Sequence, residues 1–122
     1  SIPLKVSAPF HCSLMKPAAD KMKNKINKIK FIKPSLEIIN NVTAKAETNS
    51  EKIKQLLIEQ IFSTVKWRQS IIYMQNNGIK NFIEIGPGKA LIGMVKRTIK
   101  DSNSFSINSI ADMKNFSDEF KK

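Results

Sequence analysis

Hydrophobic and polar residues follow one another along the chain with two different periods. A period of two predicts a strand over residues 4–8, and short apolar runs bounded by turn residues predict further strands over 35–39, 81–85 and 105–107. In the segments between and after them, apolar residues recur every three or four positions, as they do on one face of a helix. Strands therefore alternate with helices, which favours an α/β domain with a mainly parallel sheet.

The first helix is predicted to start immediately behind a histidine. Pro17 fits a helix only in its first turn, so this helix begins close to Ser13. His11 then lies between the end of the strand over residues 4–8 and the start of the helix. The apolar stripe of this helix comprises Leu14, Ala18, Met22, Ile26 and Ile29.

Gln60 interrupts the apolar face of the second helix. This helix is predicted to start at a capping box formed by Thr48 and Glu51. Gln60 lies seven residues after Ile53, so it points to the same side as the apolar residues. A half-buried amide at this place must find hydrogen-bond partners. The apolar residues of the face are Ile53, Leu56, Leu57 and Ile61.

Three more helices complete the prediction. The third begins near residues 63–64 and ends at Asn77-Gly78, because glycine readily adopts the left-handed conformation that terminates helices. The fourth follows a tight turn over residues 86–88, and the fifth is capped by Asp112. The expected inward residues are Trp67, Ile71 and Met74 in the third helix, Leu91, Met94, Val95 and Ile99 in the fourth, and Met113, Phe116 and Phe120 in the fifth.

Composition indicates one basic globular unit. The 122 residues, 41% of them hydrophobic, are enough for one domain or part of one. The net charge is +11, and 19 of the 21 cations are lysines, which lack the planar fork with which arginine reads base edges. Nucleic acid is therefore not an expected partner. Charge alone does not decide between a general compositional bias and the attraction of an anionic substrate or acidic protein.

The sequence indicates neither a membrane protein nor a metalloprotein. The longest apolar run, residues 90–95, is far shorter than the roughly 18 residues that span a bilayer, and no charged and then apolar leader opens the chain. We expect a cytoplasmic protein without membrane contact. Cys12 has no partner for a disulfide, and one His with one Cys falls short of a zinc site. No metal and no cofactor are expected.

Two short motifs carry candidate chemistry. The loop GPGK at residues 86–89 precedes a helix, where phosphate could bind, but its spacing is not that of a phosphate-binding loop, so a tight turn is favoured. Cys12 follows His11, and adjacent side chains in extended chain point to opposite sides, so Cys12 is expected to be a packing residue. His11 could project into a crevice at the strand end, although a structural histidine is the commoner case.

Five short segments, distributed in order along the chain, point to a family. They are VSAPFHCSLM at residues 6–15, INNV at 39–42, EQI at 59–61, VKW at 65–67 and EIGPGKAL at 84–91. Together they resemble the carboxyl-terminal third of the bacterial malonyl-CoA:acyl carrier protein transacylases, and five ordered matches are more specific than one motif. The resemblance implies the carboxyl-terminal part of an α/β-hydrolase-like acyltransferase subdomain.

The resemblance assigns roles to three residues. In this family a serine ester carries the malonyl group from coenzyme A to the pantetheine thiol of acyl carrier protein, and a histidine acts as general base and acid. His11 matches that histidine, and Gln60 matches the residue whose backbone carbonyl accepts the other imidazole N–H. Phe10 matches a bulky residue that accompanies malonyl selection, because a large ring would crowd the extra methyl group of methylmalonyl.

Gln60 and Phe10 also have plainer interpretations. Gln60 alone would be interpreted as a helix amide that water satisfies. Phe10 could pack beneath the histidine, with or without a part in substrate selection.

Three features of the family are missing from these residues. No G-x-S-x-G motif occurs, so the serine nucleophile is not supplied. Neither Arg68 nor Arg97 matches the arginine that pairs with the malonyl carboxylate, and the ferredoxin-like subdomain is absent. We therefore expect residues 1–122 to be the carboxyl-terminal segment of the acyltransferase large subdomain in a longer polypeptide, and to be inactive alone.

The resulting hypothesis is part of a malonyltransferase of fatty acid biosynthesis, monomeric when complete, with malonyl-CoA and acyl carrier protein as partners. A rival within the class is an acyltransferase that uses another acyl-CoA. A rival from another class is a basic, non-catalytic module that binds nucleic acid or an acidic protein. That module would show steeply salt-dependent binding that His11→Ala leaves unchanged.

Overall fold

The computed structural model describes residues 8–121 and contains two compact units, the first ending at Ser70 and the second beginning at Ile71. The strand expected over residues 4–8 lies outside the described residues except for Ala8, so it stays a prediction. The elements are a 3₁₀ helix Ser13–Met15, α1 Lys16–Ile26, β1 Ile38–Ile39, β2 Ala46–Glu47, α2 Ser50–Gln60, α3 Trp67–Asn76, β3 Asn81–Ile85, α4 Ala90–Thr98, β4 Asn103–Ile107 and α5 Ile110–Phe120.

Helix α1 follows His11 after one 3₁₀ turn, and Pro17 lies in its first turn as predicted. The helix ends at Ile26, three residues before the predicted stripe does. Beyond this point the chain tightens, and the amide of Ile29 bonds to the carbonyl of Ile26 at 3.0 Å. The helix buries Ala19, whose side chain is 1% exposed, whereas Leu14 of the predicted stripe is 73% exposed.

Strands β1 and β2 form an antiparallel ribbon, with Ile38 opposite Glu47 and Ile39 opposite Ala46. The intervening turn is organised by Asn40, whose Oδ1 accepts the amides of residues 42 and 43 at 3.2 and 2.8 Å. Such a side chain takes the place of a backbone turn carbonyl. The strand predicted over residues 35–39 is confirmed only for Ile38–Ile39, and β2 was not predicted, so this ribbon adds an antiparallel element to the α/β fold.

Asn49, and not Thr48, caps helix α2. Its Oδ1 accepts the amide of Lys52 at 2.9 Å, while Glu47 accepts the amide of Asn49 at 3.0 Å and pairs with the Lys52 ammonium at 3.4 Å. These contacts, the Asn49 amide above all, hold the pKa of Glu47 below its ordinary value. The predicted box was wrong by one residue, because asparagine caps at least as well as threonine and Glu47 already holds the amide that Glu51 would reach.

Helix α3 begins at Trp67 and not near residues 63–64. The amide of Lys66 bonds to the carbonyl of Asn41 at 2.9 Å, which keeps the preceding residues out of the helix. The first helical bond runs from the amide of Ser70 to the carbonyl of Lys66 at 3.0 Å.

The end of α3 was predicted correctly. Gly78 has a φ of 85°, its amide bonds to the carbonyl of Gln75 at 3.0 Å, and the amide of Ile79 bonds to the carbonyl of Met74 at 3.1 Å. These are the two bonds of a Schellman motif, which requires a left-handed residue at the position of Gly78.

The second unit contains a strand–helix–strand arrangement in which β3 and β4 pair in parallel and α4 connects them. The predicted strand over residues 81–85 is confirmed in full, and the predicted fourth helix is confirmed as α4. The buried apolar residues of this arrangement are Phe82 of β3, Ile92 and Val95 of α4, and Ile99, which follows α4. Burial of their apolar surface is what holds this unit together.

Helix α5 is capped by Ser109 and not by Asp112. The Ser109 Oγ accepts the amide of Asp112 at 3.1 Å, and the Asp112 carboxylate reaches back to the amide of Asn108 at 3.0 Å. The Asn108 amide is the main reason that the pKa of Asp112 lies below its ordinary value. The helix packs its aromatic residues on β4 in a cluster of Phe105, Phe116 and Phe120.

Residues 8–121 therefore form an α/β arrangement of helices with a parallel strand pair. Within this range, no helix has the length and apolar character that a bilayer span requires.

Candidate active site

His11 lies in a tight turn that leads into the 3₁₀ helix, and its side chain is exposed. Its φ of 60° is in the left-handed region, which few residues other than glycine adopt. Nearby, the amide of Phe10 bonds to the carbonyl of Ala8 at 2.9 Å, and the Cys12 thiol donates to the carbonyl of Pro9 at 3.1 Å. A residue other than glycine keeps this conformation where the surrounding contacts hold it.

One hydrogen bond fixes the chemistry of the imidazole. The Nδ1 atom of His11 lies 2.9 Å from the backbone oxygen of Gln60. A carbonyl oxygen has no proton to give, so Nδ1 must be the donor in this bond. In the neutral ring the proton therefore sits on Nδ1, and Nε2 keeps the free lone pair that a general base needs.

Gln60 offers its carbonyl because it is the last residue of α2. The final carbonyl groups of a helix have no partner within the helix and are free to accept other donors. The same carbonyl groups carry the partial negative charge of the helix dipole. The end of α2 thus presents an oriented acceptor to the histidine turn, 49 residues away along the chain.

The side chain of Gln60 is also bound. Its Oε1 accepts the Nδ2 of Asn41 at 3.1 Å in a partly buried contact. This contact explains how a polar residue is accommodated on the inner face of α2. The hydrogen bond to Asn41 replaces one that the side-chain oxygen loses when it is removed from water. Cys12 takes no part in this arrangement, since its thiol bonds to Pro9.

The chain matches no protein-family profile, but it matches individual proteins closely. The malonyl CoA-acyl carrier protein transacylase of Escherichia coli K12 is 41% identical to it over 113 residues, which are 93% of this chain and 37% of that protein. The Bacillus subtilis protein of the same name is 41% identical over 108 residues, 88% of this chain and 34% of that protein.

Solved structures of the same kind share the fold. An acyl carrier protein S-malonyltransferase from Vibrio cholerae has a TM-score of 0.88 at 41% identity, covering 94% of this chain and 38% of its own. A malonyl-transacylase solved in complex with a type II PKS acyl-carrier protein has a TM-score of 0.89 at 35% identity, covering 97% of this chain and 38% of its own.

The chain is homologous to the carboxyl-terminal part of the malonyl-CoA:acyl carrier protein transacylases. It spans about 37% of the length of the curated relatives it matches. The family resemblance and the α/β fold class expected from the sequence are thereby confirmed. The catalytic assignments of individual residues within this transacylase-like chain stay predictions.

Phe10, the predicted substrate-selecting residue, immediately precedes His11. Its side chain is 55% exposed. Residues 8–121 by themselves therefore do not bury this side chain. Its role in selecting the acyl group of a transacylase substrate stays a prediction.

The Glu84 side chain spans the loop over residues 86–89 and bonds to the helix that follows it. The Glu84 carboxylate accepts the amides of Leu91 and Ile92 at 3.4 and 3.0 Å, in the first turn of α4. Gly86 and Gly88 have φ values of 133° and 88°, which glycine alone adopts readily. A carboxylate already occupies the helix amino terminus. The structure therefore supports the interpretation of this loop as a tight turn and not as a phosphate site.

Within residues 8–121, no group of three or more His, Cys, Asp or Glu side chains could hold a metal ion. Among the acid–base groups of these described residues, His11 is singled out by its bond to the helix-end carbonyl of Gln60.

Sequence analysis missed Asn41 as a member of this site. The Asn40-Asn41 pair indicated only a turn, but Asn40 alone organises that turn. A second asparagine beside a turn-forming one was the signal that could have been followed. Glu84 was likewise missed as the cap of α4, because the contact spans a loop that no helix-start pattern covers.

Proposed function

We propose that residues 1–122 supply the general base of a malonyl-CoA:acyl carrier protein transacylase of fatty acid biosynthesis. The observation that carries the proposal is the 2.9 Å contact of His11 Nδ1 with the Gln60 carbonyl, which leaves Nε2 as the basic nitrogen. These residues contain no G-x-S-x-G motif. The proposal therefore includes a serine from elsewhere in the complete gene product, of which residues 1–122 form the carboxyl-terminal segment of the large subdomain.

The first half-reaction transfers malonyl from coenzyme A to the serine. Nε2 of neutral His11 takes the hydroxyl proton as the serine oxygen attacks the thioester carbonyl. The resulting imidazolium gives that proton to the sulfur of coenzyme A as the carbon–sulfur bond breaks. The products are the malonyl-serine ester, free coenzyme A and neutral His11.

The second half-reaction runs the same proton transfers in the opposite order. Nε2 of His11 takes the proton of the pantetheine thiol of acyl carrier protein as its sulfur attacks the serine ester. The imidazolium then returns the proton to the serine oxygen as the ester bond breaks. One imidazole therefore serves both steps, provided that Nδ1 keeps its proton throughout.

The Gln60 carbonyl takes the place that an aspartate has in a serine protease triad. It carries a partial negative charge from the end of α2 and not a full one. Its contribution is therefore mainly to fix the tautomer and direction of the ring. A main-chain acceptor also survives side-chain substitution, so Gln60→Ala should cost far less activity than the loss of His11.

The basic charge suits the proposed partners. Coenzyme A carries phosphates and acyl carrier protein is acidic, so a protein segment with net charge +11 would attract both. Much of this charge is local, because residues 16–33 hold seven lysines against one acidic residue, Asp20. A monomeric enzyme in the cytoplasm stays the prediction for the complete protein.

The malonyl-transfer assay on the complete gene product tests this proposal. We expect transfer from malonyl-CoA to acyl carrier protein, and we expect His11→Ala to lower its rate by about two to four orders of magnitude, the usual contribution of a general base. Lys114→Ala, on the exposed surface of α5, is a control that should leave the rate unchanged.

A loss below fivefold in His11→Ala would contradict the assignment of His11. Absence of any transfer by the parent protein, together with tight polyanion binding that His11→Ala does not alter, would favour the basic binding module. The relatives reported above give that alternative no support.

A further inference from the structure

Gln60 accepts a hydrogen bond through each of its two oxygens. Its backbone oxygen accepts the His11 Nδ1 proton at 2.9 Å, and its side-chain oxygen accepts the Asn41 Nδ2 proton at 3.1 Å. The two bonds lie on one residue at the end of a helix, where the last turn is prone to fray. A bond that holds the side chain of Gln60 therefore also restricts where its carbonyl can move.

Asn41 is itself held in place. Its carbonyl accepts the Lys66 amide at 2.9 Å. The turn that contains it is built by Asn40, whose side chain bonds to the amides of Val42 and Thr43. The backbone of Asn41 is therefore held by Lys66, and its side chain is bonded to Gln60.

We propose that Asn41 is a positioning residue for His11, acting through the side chain of Gln60. The inference deepens the proposed function and rests on it for its effect on catalysis. Its structural part, that the Asn41 amide stabilises the bond from His11 Nδ1 to Gln60, can be measured without catalysis.

Loss of the Asn41 amide should weaken the orientation of the base without removing it. The Gln60 carbonyl remains but is less well fixed, so the ring spends time with its proton on Nε2 or turned away from the substrate. Since one hydrogen bond is at stake, the expected loss is about tenfold in kcat. The KM for malonyl-CoA should not change, because the two amide side chains are bonded to each other in a partly buried contact.

Three variants of the complete gene product test the proposal. Asn41→Leu removes the donor, Gln60→Leu removes the acceptor but keeps the carbonyl, and the double variant removes both. Each single variant should lower kcat about tenfold, and the double variant should be no worse than either, because all three break the same contact.

Asn41→Asp provides a rescue. Gln60 can rotate its amide and donate from Nε2 to the aspartate, so this variant should stay within about threefold of the parent.

Two control variants each lose a comparable side-chain hydrogen bond elsewhere in the chain and should keep full activity. Gln55→Leu breaks the amide contact to Glu59 on the same helix, and Asn103→Leu breaks the amide pair with Asn81 in the second unit.

The second readout is the imidazole itself, observed by NMR after ¹⁵N labelling of histidine. Asn41→Leu should shift neutral His11 from a single Nδ1-protonated form towards a mixture, and Asn41→Asp should restore the single form. If Asn41→Leu does not fold, as judged by circular dichroism, Gln60→Leu carries the same prediction.

The outcomes separate this inference from the proposed function. Unchanged kcat and tautomer in both Asn41→Leu and Gln60→Leu, with a large loss in His11→Ala, would overturn the positioning role and leave the function standing. An inactive parent protein would overturn the function, and the tautomer measurement would still decide the role of Asn41.

Discussion

At the scale of single residues, the account depends on one imidazole whose tautomer is fixed by a backbone carbonyl. Sequence analysis could propose His11 and Gln60 because a family resemblance drew attention to both. It could not establish their distance, since 49 residues separate them along the chain. The second asparagine of the turn could have drawn attention to Asn41, but its bond to Gln60 depends on how a turn and a helix end are placed, which no local pattern encodes.

Phe10 should determine how strongly the complete enzyme prefers malonyl to methylmalonyl thioesters. Phe10→Ser removes a large ring next to His11, and room for one methyl group in a pocket is worth about 1–3 kcal/mol. We therefore expect the ratio of kcat/KM for the two thioesters to fall by roughly tenfold or more. Competition between malonyl-CoA and methylmalonyl-CoA measures this ratio.

The matched control for that change is Phe10→Tyr, which keeps the ring and should keep the preference. An unchanged ratio in Phe10→Ser would show that this side chain does not contact the acyl group.

At the scale of elements, the sequence identified helices reliably and their caps poorly. The periodicity of apolar residues located α2, α3, α4 and α5, but the caps of α2 and α5 were assigned to residues one and three positions away. Threonine, asparagine, serine and aspartate all cap well, so the choice among adjacent candidates depends on the path of the preceding chain. In α2 that path is set by Glu47, which binds the Asn49 amide.

Asn49 and Thr48 provide a direct test of this correction. Asn49→Ala should lower the free energy of unfolding by about 1 kcal/mol, because it removes the oxygen that accepts the Lys52 amide. Thr48→Ala should change the free energy of unfolding little. Urea denaturation of the complete gene product, followed by circular dichroism, measures both, and the opposite ranking would restore Thr48 as the cap.

At the scale of the whole molecule, the fold class and family could be predicted and the complete active site could not. Alternating periods predicted the α/β class, but a two-residue strand has no period of its own, so β2 was missed and the length of β1 was overestimated. The proposed reaction needs a nucleophile that these 122 residues do not contain in a recognisable motif. The charge of residues 1–122 is the overall property from which a functional consequence can be drawn.

The net charge of +11 predicts that transfer depends on salt. Raising the salt from about 50 mM to about 500 mM should lower kcat/KM for malonyl-CoA and acyl carrier protein by roughly tenfold, because screening weakens attraction between opposite charges. A short malonyl thioester without phosphates is the control donor, and its reaction with the serine should be nearly independent of salt. Equal dependence for both donors would contradict electrostatic attraction.

The proposed function requires that His11 carries its proton on Nδ1 and presents Nε2 as the base. The most direct test is the ¹⁵N NMR spectrum of histidine-labelled complete gene product, recorded where the ring is neutral and assigned with His11→Gln. We expect a protonated Nδ1 and a bare Nε2. A proton on Nε2, or rapid exchange between the two forms, would contradict the account.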